Sequence, residues 1–264
     1  MKNYKIRKSA RGRLSYSRKF ADCLINRDFS KLKVLSDSKR VHVMKALAAL
    51  SKFLGIYEDF RSLVKNYGLK WRGRSSDDLI IERLTKITDP NEIFEWIKNV
   101  KEVIPELSDF MDSITITGLR FVEAVNSYNL IMDLSKEGKL NQYYNEEKEV
   151  LEHFRFKDLF IRNSKKAFIS FVPKTFIETV KRNKRLKIGF IESKVKRKIK
   201  RLRFSDVREA HATFMTKFLS QPEIDFLHGR VSTNVFMRNY FNPALISDLK
   251  ERTFKAIRDL RVVT

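Results

Sequence analysis

Residues 117–123 read Thr117-Gly118-Leu119-Arg120-Phe121-Val122-Glu123. A Gly-Leu-Arg turn here opens a helix, predicted over about 117–132. A cation at a helix start is mildly unfavourable against the helix dipole, and a bound phosphate would remove that cost. Glu123 lies one helical turn on, where it positions Arg120 or a neighbouring turn rather than acting on a substrate. Two more basic segments follow. Asp206-Val207-Arg208 stands at the start of another expected helix. Leu227-His228-Gly229-Arg230 places its arginine 22 residues after Arg208, and Tyr240 comes ten residues later.

Outward from these segments the chain reads as mostly helical. The clearest early helix covers 36–55, with Ser36 or Ser38 as its N-cap and Gly55 just past its end. Val43, Leu47, Leu50 and Leu54 recur there at helical spacing and predict a buried stripe. Helices are also expected at about 17–26 and 56–67. Residues 71–78, WRGRSSDD, form a polar break that suits a linker. Beyond it, Asp89 and Pro90 suit an N-cap and first turn, and helices are expected at 90–100 and 105–113. Residues 154–162 (FRFKDLFIR) and 166–172 (KAFISFV) are rich in aromatic and β-branched side chains, with Asn163 and Ser164 between them. They predict one β-hairpin. Helices resume at 174–182, 192–202, 205–219, 221–228 and 243–258. The fold class is therefore mostly α with a small antiparallel β-sheet (α+β), in two domains at 1–78 and 79–264.

Composition excludes several classes. In 264 residues, 42% are hydrophobic and 21 are Phe, which is enough for real cores and excludes a disordered tail protein. Five Pro and eight Gly argue against a sandwich and for long helices. No apolar run approaches the roughly 20 residues of a membrane span. The N-terminal MKNYKIRKSARGR has no apolar stretch behind its charges and does not read as a secretory signal. With one cysteine, Cys23, an intracellular setting is expected.

The net charge of +23 is unevenly placed. Residues 1–40 hold 13 Lys and Arg against three Asp, and residues 181–203 hold 12 against Glu192 alone. The remaining residues carry 30 basic and 28 acidic groups, so two cationic blocks sit on a nearly neutral protein. Blocked basicity points to a polyanion, because each neutralised phosphate releases counterions. Double-stranded DNA is the expected partner, ahead of an anionic membrane. In the second block Val195, Ile199 and Leu202 keep helical spacing. They predict an amphipathic helix whose outer face carries Lys196, Arg197, Lys198 and Arg201 to DNA.

Familiar cofactor chemistry is missing from the sequence. His42, His153, His211 and His228 are scattered without paired spacing, so no metal site is expected. There is no phosphate-binding GxxxxGK[ST] loop, no GxGxxG and no serine-nucleophile elbow, so no cofactor is expected.

The ordered set TGLRFVE, Asp206-Val207-Arg208, His228-Gly229-Arg230 and Tyr240 resembles the tyrosine recombinases (phage-type integrases). It is most like those of archaeal viruses and plasmids, the fusellovirus type. The resemblance covers about 110–241 well and extends loosely to 36–71, which is similar to the helical core-binding domain preceding the catalytic domain. It implies a DNA integration and recombination enzyme in which Tyr240 attacks phosphorus and forms a covalent 3′-phosphotyrosine, preserving bond energy without metal or nucleotide cofactor. Arg120, Arg208 and Arg230 would stabilise the phosphorane by fork-like contacts. A hairpin lysine, Lys165 or Lys166, would protonate the departing 5′-oxygen, and its distance from Pro173 favours Lys165. It implies too that a homo-oligomer, a tetramer, assembles on DNA, with the tail after Tyr240 packed on a neighbouring protomer. Packing of that tail on its own domain is the alternative.

The chain departs from the family in three places. Ser205 stands where many relatives have His, three residues before the second arginine. Arg230 takes the place of the second usual histidine, and one extra residue separates it from Tyr240. The general base is therefore open, with His211 one helical turn after Arg208 as a candidate and His228 a weaker one. Two other functions fit the same residues: a type IB topoisomerase-like relaxing enzyme, and a catalytically inactive DNA-binding protein on this scaffold.

Overall fold

The computed structural model describes residues 8–71, 75–86, 91–162, 165–199, 202–231 and 235–263. By contacts the chain divides into two compact units, Met1–Ile87 and Thr88–Thr264, where the sequence reading draws the boundary after residue 78.

The first unit contains α1 (Lys8–Ile25), α2 (Ser30–Lys33), α3 (Asp37–Phe53), α4 (Tyr57–Asn66) and α5 (Ser76–Lys86). Helix α3 follows N-cap Ser36 and gives way to Gly55 at φ +73°, a backbone angle that favours glycine. Val43 and Leu47 are fully buried in a core with Phe20, Cys23, Phe29 and Phe60. Leu54, expected on the same stripe, lies past the last turn of α3 and is 54% exposed. Helix α5 begins inside the stretch expected to be a polar linker. The Ser75 hydroxyl accepts the Asp78 N–H at 3.0 Å, and Asp78 accepts the Ser75 N–H at 3.0 Å. That reciprocal cap turns a polar sequence into a helix start.

The second unit is helical around two small sheets. Its elements are α6 (Glu92–Val103), α7 (Ser108–Thr117), α8 (Phe121–Lys136), β1 (Tyr144–Asn145), β2 (Val150–Leu151), α9 (Lys157–Phe160), β3 (Ile161–Arg162), β4 (Lys165–Lys166) and β5 (Ser170–Phe171). They are followed by α10 (Lys174–Lys181), α11 (Ile188–Lys198), α12 (Phe204–Met215), α13 (Gln221–Leu227), α14 (Val235–Asn239) and α15 (Leu249–Val263). Strands β1, β2 and β5 form one antiparallel sheet with β2 central, and β3 and β4 form a separate two-stranded ribbon. The fold class is as expected, mostly α with small antiparallel sheets.

The expected long hairpin is corrected. Residues 153–160 form a short 3-10 turn and α9 instead of a strand. Phe156 and Phe160 fall at helical spacing and meet the Tyr143 ring at 5.3 and 6.0 Å, so the aromatic richness serves a helical packing surface. Ser170–Phe171 pairs with β2, leaving only Ile161–Arg162 against Lys165–Lys166 in the ribbon. Asn163 and Ser164 lie outside the described residues, as do Asp89 and Pro90. The expected helix at 192–202 starts and ends earlier, at Ile188 and Lys198. Ile199 is extended and buried, and Leu202 is buried too.

Helix α15 packs on its own unit. Leu249, Ile257 and Leu260 are buried, and the Phe254 ring sits 6.3 Å from Phe171 of β5. Arg252 donates to Glu223 of α13 at 2.5 and 2.9 Å and to Asp248 at 2.7 Å.

Candidate functional site

Aromatic packing sets the site. The Phe121 and Phe204 rings stack at 4.4 Å, and Phe110 of α7 meets both edge-on at about 6.1 Å. This stack registers the N-terminus of α8 against that of α12. Arg120 is the N-cap of α8, and Arg208 lies one turn into α12, so the two arginines come to one place.

Each is held by several partners. Arg120 Nη1 donates to Glu123 at 3.2 Å and to the Lys166 carbonyl at 3.2 Å. The Glu123 carboxylate is fully buried and also accepts the Arg120 N–H at 3.3 Å. Arg208 Nη1 donates to the Gly118 carbonyl, and its Nη2 donates to the His228 carbonyl at 2.5 Å. One guanidinium thus braces the turn before α8 against the end of α13. Burial, together with the like charges of Arg120 and Arg230, pushes Arg208 down to about 9, still charged at neutral pH.

Two glycines let these segments meet. Gly118 has φ +58°, and a Cβ there would lie 2.5 Å from His211 Nδ1. Gly229 has φ +62°, and a Cβ there would fall 1.7 Å from the Lys166 carbonyl oxygen. The His228-Gly229-Arg230 turn therefore sits directly on the ribbon strand β4. Arg230 donates its N–H to the Asp225 carbonyl at 2.7 Å, and its half-exposed guanidinium lies 3.6 Å from the Asp225 carboxylate.

The histidines are structural in placement. His211 Nδ1 faces His228 Nε2 at 2.9 Å, and both rings are buried. Burial holds His211 down to about 4 and His228 lower still, and the nearby Arg208 acts in the same direction on both. Neutral, packed imidazoles of this kind are poor bases for Tyr240. Ser205 Oγ donates at 3.4 Å to Asp206, whose carboxylate accepts the Arg203 N–H at 2.8 Å and closes the α12 cap.

Tyr240 directly follows α14 and is 74% exposed. Its N–H donates to the Phe236 carbonyl at 2.9 Å, and the next ring, Phe241, lies 6.0 Å from Phe226 of α13. Among the described residues no hydrogen bond or ring contact joins its phenol to the arginines. Tyr143 and Tyr144 are buried. Tyr143 is tied to Ser127 at 2.9 Å and to His153 at 2.7 Å, and burial raises both phenols far above the usual range.

Lys165 is exposed and Lys166 half-buried, on adjacent positions of β4. Sequence reasoning missed Arg162, whose Nη2 donates to Glu123 at 2.9 Å. Its one sequence signal is a place on the ribbon next to the turn.

Lys196, Arg197 and Lys198 are exposed on the last turn of α11, while Arg201 lies outside the described residues. The run before α11 is pinned rather than helical. Asn129 exchanges two hydrogen bonds of 2.9 Å with the Leu186 backbone, and Asn183 donates to Asp109 at 2.6 Å. Among the described residues no helix is long and apolar enough to cross a membrane, and no group of three or more His, Cys, Asp or Glu is placed to hold a metal ion.

A family model described as archaeal phage integrase matches residues 87–255. No curated protein and no solved structure matches the chain.

Proposed function

Because the chain belongs to the archaeal phage integrase family, a family of DNA-integrating enzymes of viruses and mobile elements, we propose that it recombines DNA through a 3′-phosphotyrosine on Tyr240. The observation that carries this reading is the neighbourhood of Arg120, Arg208 and Arg230, in which Arg120 bonds the Lys166 carbonyl, Arg208 bonds those of Gly118 and His228, and the charges of Arg120 and Arg230 both act on Arg208. Three cations around a helix N-terminus form a receptor for a phosphodiester and for the extra negative charge of its phosphorane.

In the forward step Tyr240 Oη forms a bond to phosphorus as the bond to the 5′-oxygen breaks. The exposed phenol gives its proton to solvent, since His211 and His228 are buried and neutral. A ribbon lysine gives a proton to the leaving 5′-oxygen. The reverse step, attack by a 5′-hydroxyl, restores the tyrosine and the diester. The energy of the broken bond stays in the adduct, so the chemistry asks for no metal or nucleotide. Exchange between two duplexes needs four cleavages, which supports a tetramer with one Tyr240 per strand. The basic first unit and the cations of α11 supply the sequence-independent phosphate contacts.

Trapping tests the reading. Duplex DNA treated with the protein in EDTA should yield chain covalently joined to a 3′-phosphate. Loss of cleavage in EDTA, with recovery in magnesium, would replace phosphotyrosine chemistry with that of a metal-dependent nuclease.

A further inference from the structure

Buried Glu123 serves two arginines, one from each side of the site. Arg120 of the α8 cap donates to it at 3.2 Å, and Arg162 of β3 donates at 2.9 Å. Two cations on one carboxylate leave a net positive charge.

Arg162 also sits at a telling register. In the ribbon it is paired directly with Lys165, and Ile161 is paired with Lys166. Directly opposed residues of an antiparallel pair send their side chains to the same face, and successive residues alternate. Lys165 therefore leaves the ribbon on the face from which Arg162 reaches Glu123, and Lys166 leaves on the other. Lys166 contributes its backbone instead, accepting Arg120 at 3.2 Å and lying against Gly229. Two like charges opposed on a ribbon repel, and the Glu123 carboxylate offsets that by drawing the Arg162 guanidinium to itself.

We infer that Arg162 is a positioning residue of this site, whose bond to Glu123 fixes the ribbon so that Lys165 presents its ammonium to the leaving 5′-oxygen. The inference rests on the phosphotyrosine reading and chooses between the two ribbon lysines.

The test begins with wild-type chain and random-sequence duplexes, from which cleaved sequences are recovered as covalent adducts. No adduct from any duplex sinks the phosphotyrosine reading itself, before Arg162 is examined. With a recovered duplex, cleavage is timed on an ordinary phosphodiester and on a 5′-bridging phosphorothiolate, whose thiolate leaving group needs no proton. Arg162→Ala should slow the phosphodiester by about tenfold or more, and the phosphorothiolate should bring it back to within about threefold of wild type. Lys165→Ala should show the same rescue, and Lys166→Ala should not. Arg162→Lys, which keeps a donor and the charge, should fall between Arg162→Ala and wild type. Should Arg162→Ala fail to fold, judged by its thermal melt, Arg162→Gln keeps an uncharged amide donor and should show the same rescue pattern at smaller amplitude. Three results overturn the inference: an Arg162 variant equally slow on both substrates, which would assign Arg162 to phosphate charge alone; wild-type speed on the phosphodiester; or rescue of Lys166→Ala in place of Lys165→Ala.

Discussion

The arginine cluster and the tyrosine segment are built in opposite ways. Arg208 spends two of its donors on backbone carbonyls of separate segments, and Arg120 is shared between a buried carboxylate and the ribbon. Tyr240 hangs on one backbone hydrogen bond and the neighbouring Phe241 ring, and its own side chain is 74% exposed. In the proposed mechanism the phosphate receptor therefore exists before any substrate arrives, whereas the proposed nucleophile is offered from the end of a five-residue helix. On that reading pre-organisation is concentrated where charge would develop, which is where it lowers a barrier most.

Tyr240→Phe should break the tyrosine half outright. No covalent adduct should form on gel analysis, while affinity for duplex DNA stays near wild type, since phosphate contacts supply most of it. An adduct surviving in this variant would move the nucleophile elsewhere. Arg208→Lys probes the other half. A lysine keeps the charge but cannot span the Gly118 and His228 carbonyls as a planar fork, so single-turnover cleavage should fall about 10²–10³-fold. A variant within a fewfold of wild type would mean that charge alone suffices there and that the bracing is incidental.

Acid should weaken the packing beneath the arginines. His211 is held at about 4 in the fold against its usual 6.5. Between those values the unfolded chain binds more protons than the folded one, so stability falls as pH drops through that window. The loss attributable to His211 is on the order of 3 kcal/mol, read as a shift of the urea midpoint between pH 6.5 and 4. His211→Asn should flatten that part of the profile, and an unchanged profile would remove the neutral imidazole from the cluster's support. The smallest effect belongs to the periphery. Neutralising Lys196, Arg197, Lys198 and Arg201 together should flatten the dependence of log K on log salt by up to about 0.9 for each phosphate they neutralise in the wild type. An unaltered slope would make that block a solvated face.

Local signals in the sequence locate the start of α3 at Ser36 and the turn before α8. Gly118 announces its turn, and Arg120 beside it meets the Lys166 carbonyl that lies against Gly229. Regions decided by distant partners are harder to read. Phe156 and Phe160 look like strand residues until Tyr143 is known to lie against them. Ser75 and Asp78 look like linker until their reciprocal cap is seen. Arg162 and Glu123 carry no mutual signal across the intervening chain, since an ion pair fixes neither spacing nor period. The histidine pair is similar: His211 reads as a candidate base because it follows Arg208 by one helical turn, and only His228 at 2.9 Å reveals its packed role.

Gly229 carries a consequence for how such proteins diverge. Arginine can drift to a neighbouring turn if its guanidinium still reaches the same phosphate, and a tyrosine can be carried on a longer or shorter segment. A backbone atom seated where a Cβ would lie 1.7 Å from the Lys166 carbonyl oxygen has no such latitude. Any chain that keeps this site must leave that spot bare. In distant, unaligned sequences the absent side chain is a better landmark for locating the third arginine than the arginine is itself.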